Sequence, residues 1–144
     1  MHKIKDLKAG DFLDLENYFK EITNEDYTNL DKFYLLLLDR VPTKEADVLS
    51  TIELFINDLT DIKETYYWIY TPPEMPSDAE QKEPSIGDEY RQEFAEDYAG
   101  YTEMIYLICK GDFLKINEVM QMKTQDFLYW GEYLLRKRFV ENIK

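Results

Sequence analysis

The sequence predicts an all-α fold, a compact bundle of about five to six helices carrying one long Pro-rich loop. Three observations predict it. Apolar side chains recur at intervals of three and four along most of the chain, which puts them on one face of a helix. Glycines and prolines number only five each, and four of the prolines fall within 71–87, so the remainder is free to be regular. A hydrophobic content of 44%, with aromatic residues making up 15% of the chain, is enough for the core of one domain spanning 1–144.

Residues 1–10 read as a short arm or strand, closed by Ala9-Gly10, with His2 at an end expected to fray. Asp11 is predicted to cap a first helix, in which Phe12, Leu15, Tyr18, Phe19 and Ile22 face inward. A second helix runs from about Asn29 to Asp39 and ends before Pro42, since a residue preceding proline avoids the α region. Thr43 is predicted to cap the third and longest helix, whose stripe is Val48, Ile52, Phe55, Leu59, Ile62, Tyr66 and Ile69. Leu49 and Ile56 widen that stripe, which favours burial over a coiled-coil seam, and Thr60-Asp61 is a point where the helix could divide.

The segment 71–87 reads as an extended, flexible loop. Ser85 and Asp88 resemble a helix start, and Tyr90, Phe94, Tyr98, Tyr101, Ile105 and Ile108 give the fourth helix an aromatic stripe. Gly111 is predicted to end it at the C′ position. A short helix over Ile116, Val119 and Met120 leads to the last one, where Thr124 is the predicted N-cap and Asp126 suits the positive dipole end. In that last helix Phe127, Trp130 and Leu134 are assigned to one core ridge, and Leu128, Leu135 and Phe139 to the ridge beside it. Glu132 and Arg136 form an i, i+4 pair on the wet side, and Arg136, Lys137 and Arg138 suit the negative end. The repeated Gly-Asp-Phe-Leu at Gly10 and Gly111 reads as one turn-to-helix signal used twice.

Composition narrows the function. A net charge of −13 disfavours nucleic acid and anionic membrane surfaces as partners and favours solubility. No apolar run approaches the roughly 20 residues of a membrane span, and no apolar segment follows Met1–Asp6 as in a signal peptide. Cys109 stands alone, so the chain forms no internal disulfide; it reads as a small core residue in a reducing compartment.

With His2 the single histidine, neither a Ser-His-Asp arrangement nor an ordinary zinc site is expected. The pairs Asp11 and Asp14, Asp58 and Asp61, and Asp88 and Glu89 read as solvated helix faces, and Asp78 with Glu80 and Lys82 as coincidence. No catalytic, cofactor-binding or metal-binding residue is therefore assigned. The surplus is aromatic: twelve tyrosines and two tryptophans, serving either a thick core or a binding face. Tyr66, Tyr67, Tyr70, Tyr129 and Tyr133 are the residues predicted to bind a partner.

Two stretches carry a family resemblance. The opening Ile4 to Leu15, with Gly10-Asp11-Phe12-Leu13, resembles small helical proteins of the morphogenesis modules of tailed bacteriophages. So does the closing Gly100 to Met120, with Gly111-Asp112-Phe113-Leu114; both are similar to tail-assembly chaperones and small virion proteins. The likeness covers about half the chain, and the Pro-rich insert departs from it. The resemblance implies a non-enzymatic protein that shields apolar helical segments of a phage structural or tape-measure-like protein, in the cytoplasm of an infected bacterium. Its alternative is a component kept in the virion, as a ring, neck or capsid-associated part. A homo-oligomer is compatible with either.

A rival of another class is an acidic mimic of DNA that occupies a host DNA-binding protein, for which 74–97, with nine acids and two bases, is the dense block. Replacing Trp130 or Phe94 by alanine is expected to unfold the domain, at about 3–5 kcal/mol. Replacing Tyr67 or Tyr129 is expected to leave it folded and weaken partner binding.

Overall fold

The computed structural model describes residues 1–73 and 100–143. The remainder of the Pro-rich stretch, the Ser85–Asp88 helix start, Tyr90, Phe94, Tyr98, the Asp78, Glu80 and Lys82 set, the Asp88 and Glu89 pair and the whole of the acidic 74–97 block lie outside the described residues. Within them the fold is all-α. Its helices are Ala9–Thr23 (α1), Leu30–Leu38 (α2), Glu45–Thr65 (α3), Tyr67–Tyr70 (α4), Thr102–Ile108 (α5), Ile116–Gln121 (α6) and Thr124–Asn142 (α7), with single 3₁₀ turns at Ile4–Asp6 and Phe113–Lys115. No described helix is long and apolar enough to cross a membrane.

The core forms where α1 packs on α2, α6 and α7, and α7 packs on α5, α4 and the first 3₁₀ turn. Phe33 of α2 meets Phe55 of α3 edge-on at 5.0 Å, and Phe19 of α1 meets the same ring at 5.2 Å. Phe12, Tyr101 and Phe127 then run from α1 through the start of α5 into α7, with centroids 5.7 and 5.9 Å apart. Edge-to-face ring pairs of this kind add to the stabilisation from buried area and hold the helices in register.

The N-terminal segment is not a frayed arm. Ile4 is fully buried, and its N–H donates to Asp58 Oδ2 at 2.8 Å. His2 N–H donates to the Leu37 carbonyl at 2.8 Å, and its ring bonds the Asp39 carboxylate. Lys8 and Lys123 form an isolated antiparallel bridge: Ala9 N–H donates to Met122 O, and Thr124 N–H to Leu7 O. Helix α1 therefore starts at Ala9, and Gly10 and Asp11 lie inside its first turn rather than before it. Gly10 faces Met120 so closely that a Cβ would stand 3.2 Å from it. The second Gly-Asp-Phe-Leu does something else. Gly111 sits in a turn, Asp112 caps a 3₁₀ turn by accepting from Leu114 N–H, and Leu114 is exposed where Leu13 is buried. The two motifs are thus not one signal used twice.

Thr124 is not a cap either. It is the first residue of α7, fully buried, and its hydroxyl donates to the Leu7 carbonyl at 2.9 Å. Helix α3 starts after Lys44, with no side-chain cap from Thr43. It passes through Thr60-Asp61 unbroken and stops at Tyr66, where α4 begins as a separate turn. At the end of α5 Gly111 N–H donates to Tyr106 O and Lys110 N–H to Leu107 O. These are the two bonds of a Schellman motif, so Lys110, at φ 55°, holds the C′ position that was predicted for glycine.

Candidate binding face on α7

Helix α7 buries Thr124, Phe127, Leu128 and Gly131, and half-buries Leu135, Arg138 and Phe139. The centre of that stripe holds two small residues, Thr124 and Gly131. A Cβ on Gly131 would meet the Met104 methyl at 2.0 Å, so a glycine there lets α5 lie close. The consequence appears on the opposite side. Trp130 is turned out of the core, 51% exposed, between Tyr129 at 60% and Tyr133 at 52%. The core position predicted for Trp130 is thus corrected: of the two predicted ridges Phe127 and Leu128 are buried and Leu134, Leu135 and Phe139 half-buried, while small Thr124 and Gly131, which carry no hydrophobic signal, take the place in the core that was assigned to Trp130.

The three rings order one another. Tyr129 and Trp130 are 5.4 Å apart at 84°, and Trp130 and Tyr133 6.0 Å apart at 89°. Such a ridge presents apolar faces and polar tips with few free torsions, which is what recognition of another polypeptide requires. Val140, two turns on, extends it, and Asp126 and Lys137 stand exposed at its two ends.

The other predicted partner residues are dispersed. Tyr67 is exposed on α4. Tyr66 is half-buried beside a shallow recess of about 300 Å³ that Lys3, Asp58, Asp61 and Gln125 also line. Burial, and then the carboxylates of Glu132 and Asp126, raise the Tyr66 hydroxyl above its ordinary pKa.

Tyr70 does not belong to the face. Its hydroxyl meets that of Tyr101 at 2.6 Å, and Tyr101 donates to Glu16 Oε1 at 2.7 Å. Burial raises the pKa of both phenols, and it raises that of Glu16 against the opposing effects of the Tyr101 bond and of Lys63. This chain ties α1, α4 and the start of α5 together from within.

Two further features lie on other sides of α7. Glu132 lies 3.5 Å from Arg136, while its Oε2 is buried with no hydrogen-bond partner among the described residues. A cleft of about 470 Å³ opens between Trp68, Pro72, Met104, Leu135 and Phe139, with Arg138 bonded to Glu103 at 2.7 Å on its rim. Trp68 packs edge-on against Phe139 at 5.7 Å, with the Arg136 guanidinium 5.9 Å from its centroid.

Of the acidic pairs, Asp58 accepts from the backbone of Ile4, and so has a structural task. Asp14 is raised by desolvation and by Asp11 and lowered by Lys32. Among the described residues no group of three or more His, Cys, Asp or Glu is placed to hold a metal ion. Compared with protein-family models, curated proteins and solved structures, the chain finds no match in any of the three.

Proposed function

We propose that the chain is a non-enzymatic protein-binding domain that grips apolar helical segments of a structural protein, in the role of a tail-assembly chaperone of a tailed bacteriophage. The observation that carries this reading is the ridge of Tyr129, Trp130 and Tyr133, three mutually ordered rings held half in solvent on a helix anchored from its other side. An amphipathic helix laid along the ridge would bury its apolar face against the rings. The net charge of −13 would keep such a complex dissolved. Tyr67 and Tyr66 would meet a client that extends past the start of α7. The client on this reading is a tape-measure-like protein, met in the cytoplasm of the infected cell.

The test is capture of a purified tape-measure-like protein from the tail-assembly module to which this reading assigns the chain. Tyr129→Ala with Tyr133→Ala is expected to weaken capture by about tenfold or more while the helical circular dichroism is unchanged. Equal capture by wild type and variant would refute the reading. Mature particles separate the two phage roles: a chaperone is missing from them, and a virion component is found at fixed copy number.

A further inference from the structure

We infer that the outer face of α7 pairs with the same face of a second copy, antiparallel about a two-fold axis. The inference rests on reading α7 as a polypeptide-binding face, and it names one occupant. Asp126, Trp130, Tyr133 and Lys137 are all exposed and, at 100° per residue, fall within about 60° of arc on the helix. Their spacing of four, three and four residues is a heptad seam, and it reads the same in both directions. Laid antiparallel on itself, the seam sets Trp130 against Tyr133 of the other copy, and Tyr133 against its Trp130. Asp126 then faces Lys137 of the other copy at one end, and the reverse holds at the other, roughly 16 Å along the helix.

Each end of the seam therefore finds its opposite charge, and the macrodipoles also run in opposed directions. This matters in a molecule of net charge −13, where two copies repel one another on average. Within α7 the acid of the seam lies in the first turn and the bases Arg136, Lys137 and Arg138 lie together ten to twelve residues beyond it. Lys137 approaches Glu141 of its own helix only to 4.0 Å, and both are exposed, so it is available to Asp126 of the second copy. The rings are already held at right angles in one copy, so little side-chain freedom is lost on pairing. An isologous contact closes on itself and yields a dimer rather than a filament. A client helix would use the same rings and would displace the second copy.

The experiment is sedimentation equilibrium of the full chain over a wide concentration range, with circular dichroism to follow folding. A monomer–dimer equilibrium is expected, abolished by Trp130→Glu. Asp126→Lys alone, and Lys137→Asp alone, are each expected to raise the dimer dissociation constant by about tenfold or more, since each sets like charges opposite one another twice. The double variant Asp126→Lys/Lys137→Asp is expected to return to within about threefold of wild type, because both ion pairs are restored in reverse. A chain that stays monomeric throughout, a dimer that survives Trp130→Glu, or a double variant no better than the singles would each overturn the inference. If the chain stays monomeric yet captures the tape-measure-like protein through Tyr129 and Tyr133, self-pairing fails and the proposed function stands.

Discussion

Tyr101 is the residue on which the interior turns. Its ring touches Phe12 and Phe127, and its hydroxyl receives a bond from Tyr70 while giving one to Glu16. Removing that hydroxyl leaves a buried carboxylate without its donor, so Tyr101→Phe is expected to lower stability by about 1–3 kcal/mol in urea unfolding. Glu16 adds a pH dependence of definite sign. Its pKa is raised in the folded state, so the folded protein binds the proton more tightly than the unfolded chain. Its contribution is fully favourable below the ordinary carboxyl pKa and is lost as pH rises through the folded-state value. Glu16→Gln should therefore melt higher than wild type at pH 7, and the advantage should vanish near pH 4. Trp130 gives the opposite lesson. It was legible as a large apolar residue at helical spacing, yet it stands in solvent. Trp130→Ala is expected to stay within about 1 kcal/mol of wild type, whereas Phe127→Ala, fully buried on the same helix, should cost about 3–5 kcal/mol.

At the scale of the element, the long periodic stretches were the readable ones. Phe12 and Leu15 in α1, Phe33 and Leu37 in α2, and Phe55, Leu59 and Ile62 in α3 are all buried, as their helical spacing encodes, whereas Leu49 and Ile56, expected to widen the α3 stripe, are exposed. Helix ends were less readable. Thr43 and Thr124 look like caps by type, but α3 forms without Thr43, and Thr124 turns its hydroxyl to Leu7, a partner 117 residues away that no local pattern announces. The candidate face was half legible. Tyr129 and Tyr133 were singled out as partner residues and are exposed, whereas Tyr70 was drawn inward by Tyr101 and Trp130 was pushed outward by the close approach at Gly131. Lys110 offers a test of the turn after α5. A non-glycine residue at φ 55° carries strain that glycine escapes, so Lys110→Gly is expected to raise stability by about 1 kcal/mol.

Across the whole molecule, the two ends of the chain hold each other. The Leu7 carbonyl accepts from both the N–H and the hydroxyl of Thr124, Ala9 donates to Met122, and the first 3₁₀ turn packs on α7. Helix α7 is thereby fixed from within, and its outer rings become a rigid surface rather than a loose tail. Ile4 is the keystone of this contact, fully buried three residues from the start of the chain. Ile4→Ala is expected to cost about 2–5 kcal/mol, as for a central core position. The claim that depends on all of this is that the Trp130 face stays in water until another polypeptide covers it. The sequence has two tryptophans, so Trp68→Phe leaves Trp130 as the sole indole reporter. Its emission maximum and acrylamide quenching, followed while the dilute chain is brought to high concentration or mixed with the proposed client, measure the claim directly. The account predicts red-shifted, freely quenched emission in the dilute chain, moving to blue-shifted, protected emission as a partner covers the ring. Blue-shifted, protected emission in the dilute chain, or emission that no partner alters, would contradict it.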